Sequence, residues 1–126
     1  MSMSDTLSLA LCRIKNAQAV SKKIVTVPNS RLVKSVLDVL VEYGFIGEYF
    51  QSKMDPFSVD ITLKSISKLQ LTRISKPALR KYAASSDIPR VMGGAALVVM
   101  STSEGVMSSV SAKKRGIGGE VLCFAF

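Results

Sequence analysis

The chain has 126 residues, of which 48% are hydrophobic and 21% charged, a composition that excludes a disordered chain and indicates a folded globular protein. This length fits one domain or two small domains that share an interface. The chain carries 17 Lys and Arg against 9 Asp and Glu, and a net charge of +8 favours a polyanionic partner, with a solvated basic surface as the alternative.

The first half of the chain predicts an α/β unit. Apolar residues at spacings of three and four indicate helices, and β-branched or alternating runs indicate strands. The apolar stripe of the first helix consists of Leu7, Ala10, Leu11, Ile14 and Ala17. The predicted elements are a helix over residues 5–19, a strand over 24–27 ended by Pro28, a helix from an Asn29 or Ser30 cap to Gly44, and strands over 45–50 and 58–64.

After residue 65 the sequence favours short strands separated by Gly, Ser and Pro. The predicted elements are strands over 68–75, 79–83, 95–100 and 120–126, with short helices over 88–92 and 107–114. The fold class is therefore predicted to be α+β. An N-terminal α/β domain, residues 1–65, has two helices on a small sheet and is joined to a mostly β C-terminal domain, residues 66–126, with short helices. The first domain has a net charge of +2 and the second +6.

Neither catalysis nor a metal site is indicated. The chain has no histidine, which removes the usual general base and the commonest zinc ligand. Gly93-Gly94 and residues 116–119 complete no phosphate-binding motif and are predicted to be turn glycines. Cys12 and Cys123 are expected to be buried thiols, with one disulfide bridge as the alternative. We expect no enzyme, no cofactor, no membrane span and no export signal, and a Ser–Lys enzyme is the remote alternative.

The most informative stretch is STSEG at residues 101–105, where an apolar strand ends in hydroxyl side chains and a glycine. Hydroxyl groups donate and accept hydrogen bonds, which suits base edges and ribose, and glycine allows the backbone to approach closely. The alternative is a turn in which Ser101, Thr102 or Ser103 caps the next helix.

Five motifs in order resemble one family. STSEGVM at residues 101–107 is similar to the hallmark loop of the small-subunit ribosomal protein S8 family of bacterial and organellar type, and GGEVLC at 118–123 resembles the strand that closes its C-terminal domain. The weaker matches are RIKN at 13–16, EYGFI at 42–46 and RISKP at 73–77.

The resemblance implies a structural protein that binds a helical junction in the central domain of small-subunit ribosomal RNA, next to other ribosomal proteins, and supports assembly. The ribosome would lie in a bacterial cytoplasm or an organelle such as the mitochondrion. An extra-ribosomal RNA-binding regulator or RNA chaperone is the alternative function. Carried over to matching positions, the resemblance places nucleotide contacts at Ser101, Thr102, Ser103 and Gly105, with Gly119 and Glu120 beside them.

Further RNA contacts are predicted from charge and residue type. Basic side chains bind phosphates, and an aromatic ring stacks on an unpaired base. For the three-residue cluster at 113–115 a solvated face is an equal alternative, while Val106 and Met107 are predicted to pack in the core. The additional RNA-binding residues are Arg73, Lys76, Arg80, Lys81, Tyr82, Lys113, Lys114 and Arg115 in the second half, and Arg13, Lys15 and Asn16 on the first helix.

Overall fold

The computed structural model describes residues 6–64, 70–75, 80–86, 88 and 96–126. The chain divides into two compact units, Met1–Gln70 and Leu71–Phe126. The predicted domain boundary at residue 65 lies outside the described residues. So do Lys76 and, apart from Ile88, the predicted helical turn over 88–92.

The first unit contains two helices and a three-stranded antiparallel sheet with β3 in the middle. Every second side chain along β1 and β3 faces the core, and Val27, Val59 and Ile61 are buried. This is the pattern expected of a sheet that is covered on one face. All five residues of the predicted stripe on α1 are buried. The elements are α1 (Thr6–Ala19), β1 (Ile24–Pro28), α2 (Arg31–Glu42), β2 (Tyr49–Gln51) and β3 (Ser58–Thr62).

Both ends of α2 agree with the sequence, but the strand predicted directly after it begins at residue 49 rather than 45. The Ser30 hydroxyl accepts a hydrogen bond from the Val33 amide and caps the helix. Gly44 has φ +80, its amide donates to the Val41 carbonyl, and the Phe45 amide donates to the Leu40 carbonyl at 2.9 Å. This pair of bonds is a Schellman motif, which ties residue 45 to the helix end. The strand predicted over 45–50 is therefore shortened to β2, which begins at residue 49.

The second unit is built around β8, the central strand of a five-stranded sheet. β6 occupies one edge of β8, so β4 and β5 share the other edge, one at each end of the strand. Pairing skips Leu122, which forms a bulge between Val121 and Cys123. The elements are β4 (Leu71–Arg73), β5 (Tyr82–Ala83), β6 (Leu97–Thr102), β7 (Gly105–Ser108), α3 (Ser109–Arg115) and β8 (Gly119–Ala125).

Strand β7 is absent from the prediction, which places a helix over 107–114 instead. The structure begins the helix at residue 109, where the Ser108 hydroxyl accepts from the Ser111 amide at 3.2 Å. The predicted alternative in which residues 101–103 cap this helix is therefore wrong. Met107 packs against the core cluster of Ile88, Val98, Met100, Ala112 and Val121, as predicted.

The predicted α+β class, with two helices on a small sheet followed by a mostly β half, is confirmed. Strand bounds differ at their ends: β4 stops at residue 73 rather than 75, and β6 extends to 102 rather than 100. Among the residues described, no helix has the length and apolar character needed to cross a bilayer.

The two cysteines are free, and the prediction that both are buried is wrong for Cys12. Cys12 lies one position off the apolar stripe of α1 and is exposed, and its sulfur accepts from the Asn16 amide group at 3.5 Å. Cys123 is fully buried, and desolvation raises the pKa of its thiol to about 12, against a lowering effect from the charge of Arg73.

We therefore expect a chromogenic disulfide reagent at mildly alkaline pH to modify one thiol per native chain, the exposed Cys12. Only thiolates react readily, and the raised pKa of the buried Cys123 keeps its thiol protonated. Denaturant should expose the second thiol. The Cys12→Ser protein is the control and should react only when it is unfolded. Rapid modification of two thiols in the native protein would contradict the burial of Cys123.

Candidate nucleic-acid interface

The stretch at residues 101–105 is the turn of the β6–β7 hairpin. Thr102 pairs with Gly105, which leaves Ser103 and Glu104 as the two loop residues. The Thr102 hydroxyl donates to the Gly105 carbonyl at 2.8 Å and accepts from the Glu104 amide at 3.1 Å. Gly105 has φ +113, a conformation that side chains disfavour, and its Cα faces open space. The Thr102 hydroxyl therefore holds the turn, and Gly105 makes the turn possible.

The serines on either side of Thr102 are differently placed. Ser103 is exposed at the tip of the turn, and Ser101 is half-buried in β6. Within the described part of the chain, neither hydroxyl forms a hydrogen bond. These two hydroxyl groups are therefore available to an incoming ligand, whereas that of Thr102 is already engaged.

The sheet brings the separate predicted segments into two adjacent rows. Residues directly opposite each other on antiparallel strands lie on the same face, with Cβ atoms about 5 Å apart. The first row runs through Tyr82, Glu120, Ser101 and Val106. The second row runs through Ala83, Gly119, Thr102 and Gly105. We call residues 80–83, 101–105, 113–115 and 118–120 together the strand-end surface.

Gly119 is required by the close approach of β8 to β6. A Cβ atom at this position would collide with the backbone carbonyl of Ser101 and approach the Thr102 Cα to 3.1 Å. Neither contact involves a flexible side chain that could move away. The prediction that Gly119 is a turn glycine is therefore wrong: it lies within a strand and permits tight packing next to the hydroxyl-rich turn.

Glu120 is the centre of a hydrogen-bonded network. Its side chain is only 12% exposed, accepts a hydrogen bond from the Ser75 hydroxyl, and pairs with the Arg80 guanidinium at 3.2 Å. Ser75 is fully buried, and its oxygen also accepts from the Lys81 amide at 3.1 Å. The network therefore connects β8 to the segment that carries Arg80, Lys81 and Tyr82.

Three cations at the end of α3 border the turn. Arg115 donates to the Glu104 carboxylate at 2.9 Å, which links the helix to the tip of the hairpin. Lys113 and Lys114 are exposed, and neither forms an ion pair with any residue in the described ranges. Cations at a helix C-terminus are favoured by the helix dipole. The two lysines thus provide the positive charge of this surface, together with exposed Lys81.

The remaining predicted residues of the second unit differ in accessibility. Tyr82 is 72% exposed, so its ring can stack on a base. Arg73 is half-buried in β4, three residues along β8 from Glu120, and its Nε donates to the Ser75 carbonyl. Arg73 therefore supports the segment at residue 75 and is set back from the turn. The sequence did not indicate Ser75, because its partners lie up to 45 residues away.

A second basic feature lies in the first unit. Arg13 and Asn16 line a groove between α1 and β1 with a volume of about 440 Å³, and Lys22 and Ile24 form part of its wall. Arg13 also donates to the Thr26 carbonyl at 3.3 Å. Lys15 is exposed but does not line the groove. The sequence did not indicate Lys22, because it lies in the loop three residues after α1, where a basic residue gives no specific signal.

In the described ranges, no group of three or more Cys, Asp or Glu side chains could hold a metal ion. The ionisable groups of the strand-end surface are instead paired with each other or exposed. The arrangement combines accessible hydroxyl groups, an exposed ring and unpaired lysines, which suits a polyanion that also offers bases and ribose.

Comparison with known proteins gives the same family across almost the whole chain. The model of the family "Ribosomal protein S8" matches residues 5–126. A small ribosomal subunit protein uS8 from Nitrosomonas eutropha is 44% identical over 128 residues, which covers 98% of each chain. The proteins of the same name from Hahella chejuensis and Gloeobacter violaceus are 42% and 41% identical and are covered completely. The resemblance inferred from the five motifs is confirmed, and the chain belongs to the ribosomal protein S8 family.

Proposed function

We propose that this chain is a structural component of the small ribosomal subunit and binds small-subunit ribosomal RNA through the strand-end surface. The observation that carries the proposal is the pair of rows in which Tyr82, Ser101 and Thr102 flank β8. Relatives named small ribosomal subunit proteins, covered over nearly their full length, support the ribosomal role. Ribosomal protein families are generally non-enzymatic, and a structural role requires no catalytic step.

Within this surface, the residues have different tasks. Ser101 and Ser103 offer hydroxyl groups to base edges and ribose, and Gly105 lets the RNA backbone come near. Lys81, Lys113 and Lys114 attract phosphates, and Tyr82 stacks on a base. Arg80 and Arg115 are held by carboxylates, so they contact phosphates only from fixed positions.

The finer assignment is a helical junction in the central domain of the RNA, with other small-subunit proteins as neighbours. The groove of Arg13 and Asn16 is proposed to hold a second RNA segment. The relatives come from bacteria, which supports a bacterial ribosome and leaves the organellar alternative without support.

The proposal is tested by sedimentation and by binding to RNA. The protein should sediment with small subunits. It should also bind a transcript of the central domain more tightly than an unrelated RNA of equal length, when both are measured at the same salt concentration. If the protein stays in the supernatant when small subunits are pelleted, and prefers no transcript, the ribosomal role is wrong.

Replacing Ser103 and Thr102 separately distinguishes a direct contact from support of the turn. Ser103→Ala should weaken specific RNA binding by about 1 kcal/mol and change stability by less than about 0.5 kcal/mol, because its hydroxyl has no partner within the described ranges. Thr102→Ala should lower both the RNA affinity and the stability, because its hydroxyl holds the turn. Filter binding and urea unfolding measure the two quantities.

Ser35→Ala in α2 is the matched control for loss of one hydroxyl group, and it should leave RNA binding unchanged. Equal losses of RNA affinity and of stability in the Ser103→Ala protein would show that Ser103 acts through the fold. Unchanged affinity would remove Ser103 from the interface.

A further inference from the structure

The strand-end surface has two arginines, and each is paired with a carboxylate, but the two pairs differ in accessibility. Arg80 pairs with Glu120, whose side chain is 12% exposed and also accepts from the buried Ser75 hydroxyl. Arg115 pairs with Glu104, and these side chains are 56% and 50% exposed. The first pair is therefore part of the folded network, whereas the second lies where an incoming ligand meets it.

Both members of the exposed pair are attached to backbone that is held in place. The Glu104 amide donates to the Thr102 hydroxyl at 3.1 Å within the two-residue turn. Arg115 is the last residue of α3, where Gly116 has φ +68 and its amide donates to the Lys113 carbonyl at 3.1 Å. Two anchored segments thus bring the carboxylate and the guanidinium to 2.9 Å from each other.

Glu104 places a negative charge at the tip of the turn that is proposed to bind RNA. It lies between Ser103 and Gly105, which are proposed to meet bases, ribose and the RNA backbone. Its carboxylate repels phosphates, and it occupies the guanidinium of Arg115, which could otherwise bind a phosphate with two parallel hydrogen bonds. The pair therefore lowers the attraction for phosphates at the point where bases would be read.

We propose that Glu104 is a specificity-determining residue, which keeps the phosphates of nonspecific nucleic acid away from the tip of the β6–β7 hairpin by holding Arg115 in an ion pair. The inference rests on the RNA-binding role proposed above. A nonspecific RNA binds mainly through its phosphates, so it loses affinity wherever a cation is already neutralised. The cognate RNA meets the tip with bases and ribose, which require no free arginine.

The Glu104→Gln protein tests the proposal, because glutamine keeps the size of the side chain and removes its charge. Its affinity for an unrelated RNA should rise about fivefold, since Arg115 becomes free to bind a phosphate. The salt dependence of that binding should steepen by about one phosphate contact. Affinity for the central-domain transcript should rise less than about twofold, so the ratio of the two affinities should fall about threefold. Filter binding over a range of salt concentrations measures all three.

Glu48→Gln is the matched control for the loss of one negative charge. Glu48 is exposed and lies in the first unit, directly before β2. The change alters the net charge of +8 by the same one unit, and the ratio of specific to nonspecific affinity should stay as in the wild type. If the control raises nonspecific affinity as much as Glu104→Gln does, net charge accounts for the effect and the inference is wrong.

The Arg115→Gln background shows whether Glu104 acts through the arginine. In that background Glu104→Gln should raise nonspecific affinity by less than about twofold, because no guanidinium is left to release. A full fivefold rise without Arg115 would show that Glu104 repels phosphates directly and that the ion pair plays no part.

The remaining outcomes are also decisive. A rise of equal size for both RNAs, or no rise for either, would overturn the inference, and so would a fall in cognate affinity alone, which indicates damage to the turn. If the wild type prefers no transcript, the proposed function fails and this inference fails with it. If the wild type prefers the central-domain transcript and Glu104→Gln keeps that preference in full, the inference alone is wrong.

Discussion

The Gly119→Ala protein is expected to be less stable than the wild type by about 3 kcal/mol, the upper end of the cost of overpacking. The added Cβ would meet the Ser101 carbonyl and the Thr102 backbone, which cannot move without breaking the β6–β8 ladder. The same displacement would shift the hydroxyl-rich turn, so specific RNA affinity should also fall. Urea unfolding and filter binding measure these effects.

Gly116→Ala is the control for loss of a glycine at a position with open space. Gly116 ends α3 with φ +68, so alanine there should cost about 1 kcal/mol from backbone strain alone. Specific RNA binding should be retained. A Gly119→Ala protein that matched the wild type in stability and RNA affinity would show that β8 and β6 do not approach this closely in solution.

The helices could be predicted because their signals are local. The stripe of α1 repeats every three or four residues, and Ser30 and Gly44 mark the ends of α2 with side-chain and backbone chemistry that acts within a few residues. β7 could not be predicted in this way. The four residues of β7, Gly105–Ser108, are too few for a period of two to stand out from the helix that follows.

The candidate site was predicted in part. Residue type and the resemblance indicate the turn at 101–105, but the side chains that fix it come from distant parts of the sequence. Ser75 meets Glu120 only because β4 and β5 lie along the same edge of β8, and Arg115 meets Glu104 across the β7–α3 connection. The sequence also gives no sign that Gly119 is needed for close packing, since a glycine before a strand usually indicates a turn.

The Glu120→Ala protein should lose about 2 kcal/mol of stability and should bind RNA less tightly. The substitution removes the acceptor of the fully buried Ser75 hydroxyl, and an unsatisfied buried donor costs about 1–3 kcal/mol. It also releases Arg80, whose half-exposed ion pair contributes less. Without this anchor the segment that carries Lys81 and Tyr82 is free to move, and RNA binding would have to order it again.

A double-mutant cycle with Ser75→Ala separates the network from its parts. If the Ser75 and Glu120 side chains act as one unit, the double variant should be little less stable than either single variant, because each change already breaks the same bond. Glu120→Gln is the milder control: it keeps an acceptor for Ser75 and loses only the charge that pairs with Arg80. Additive losses of stability in the cycle would show that the two side chains act independently, and an unchanged RNA affinity in the Glu120→Ala protein would show that the network does not position the binding segment.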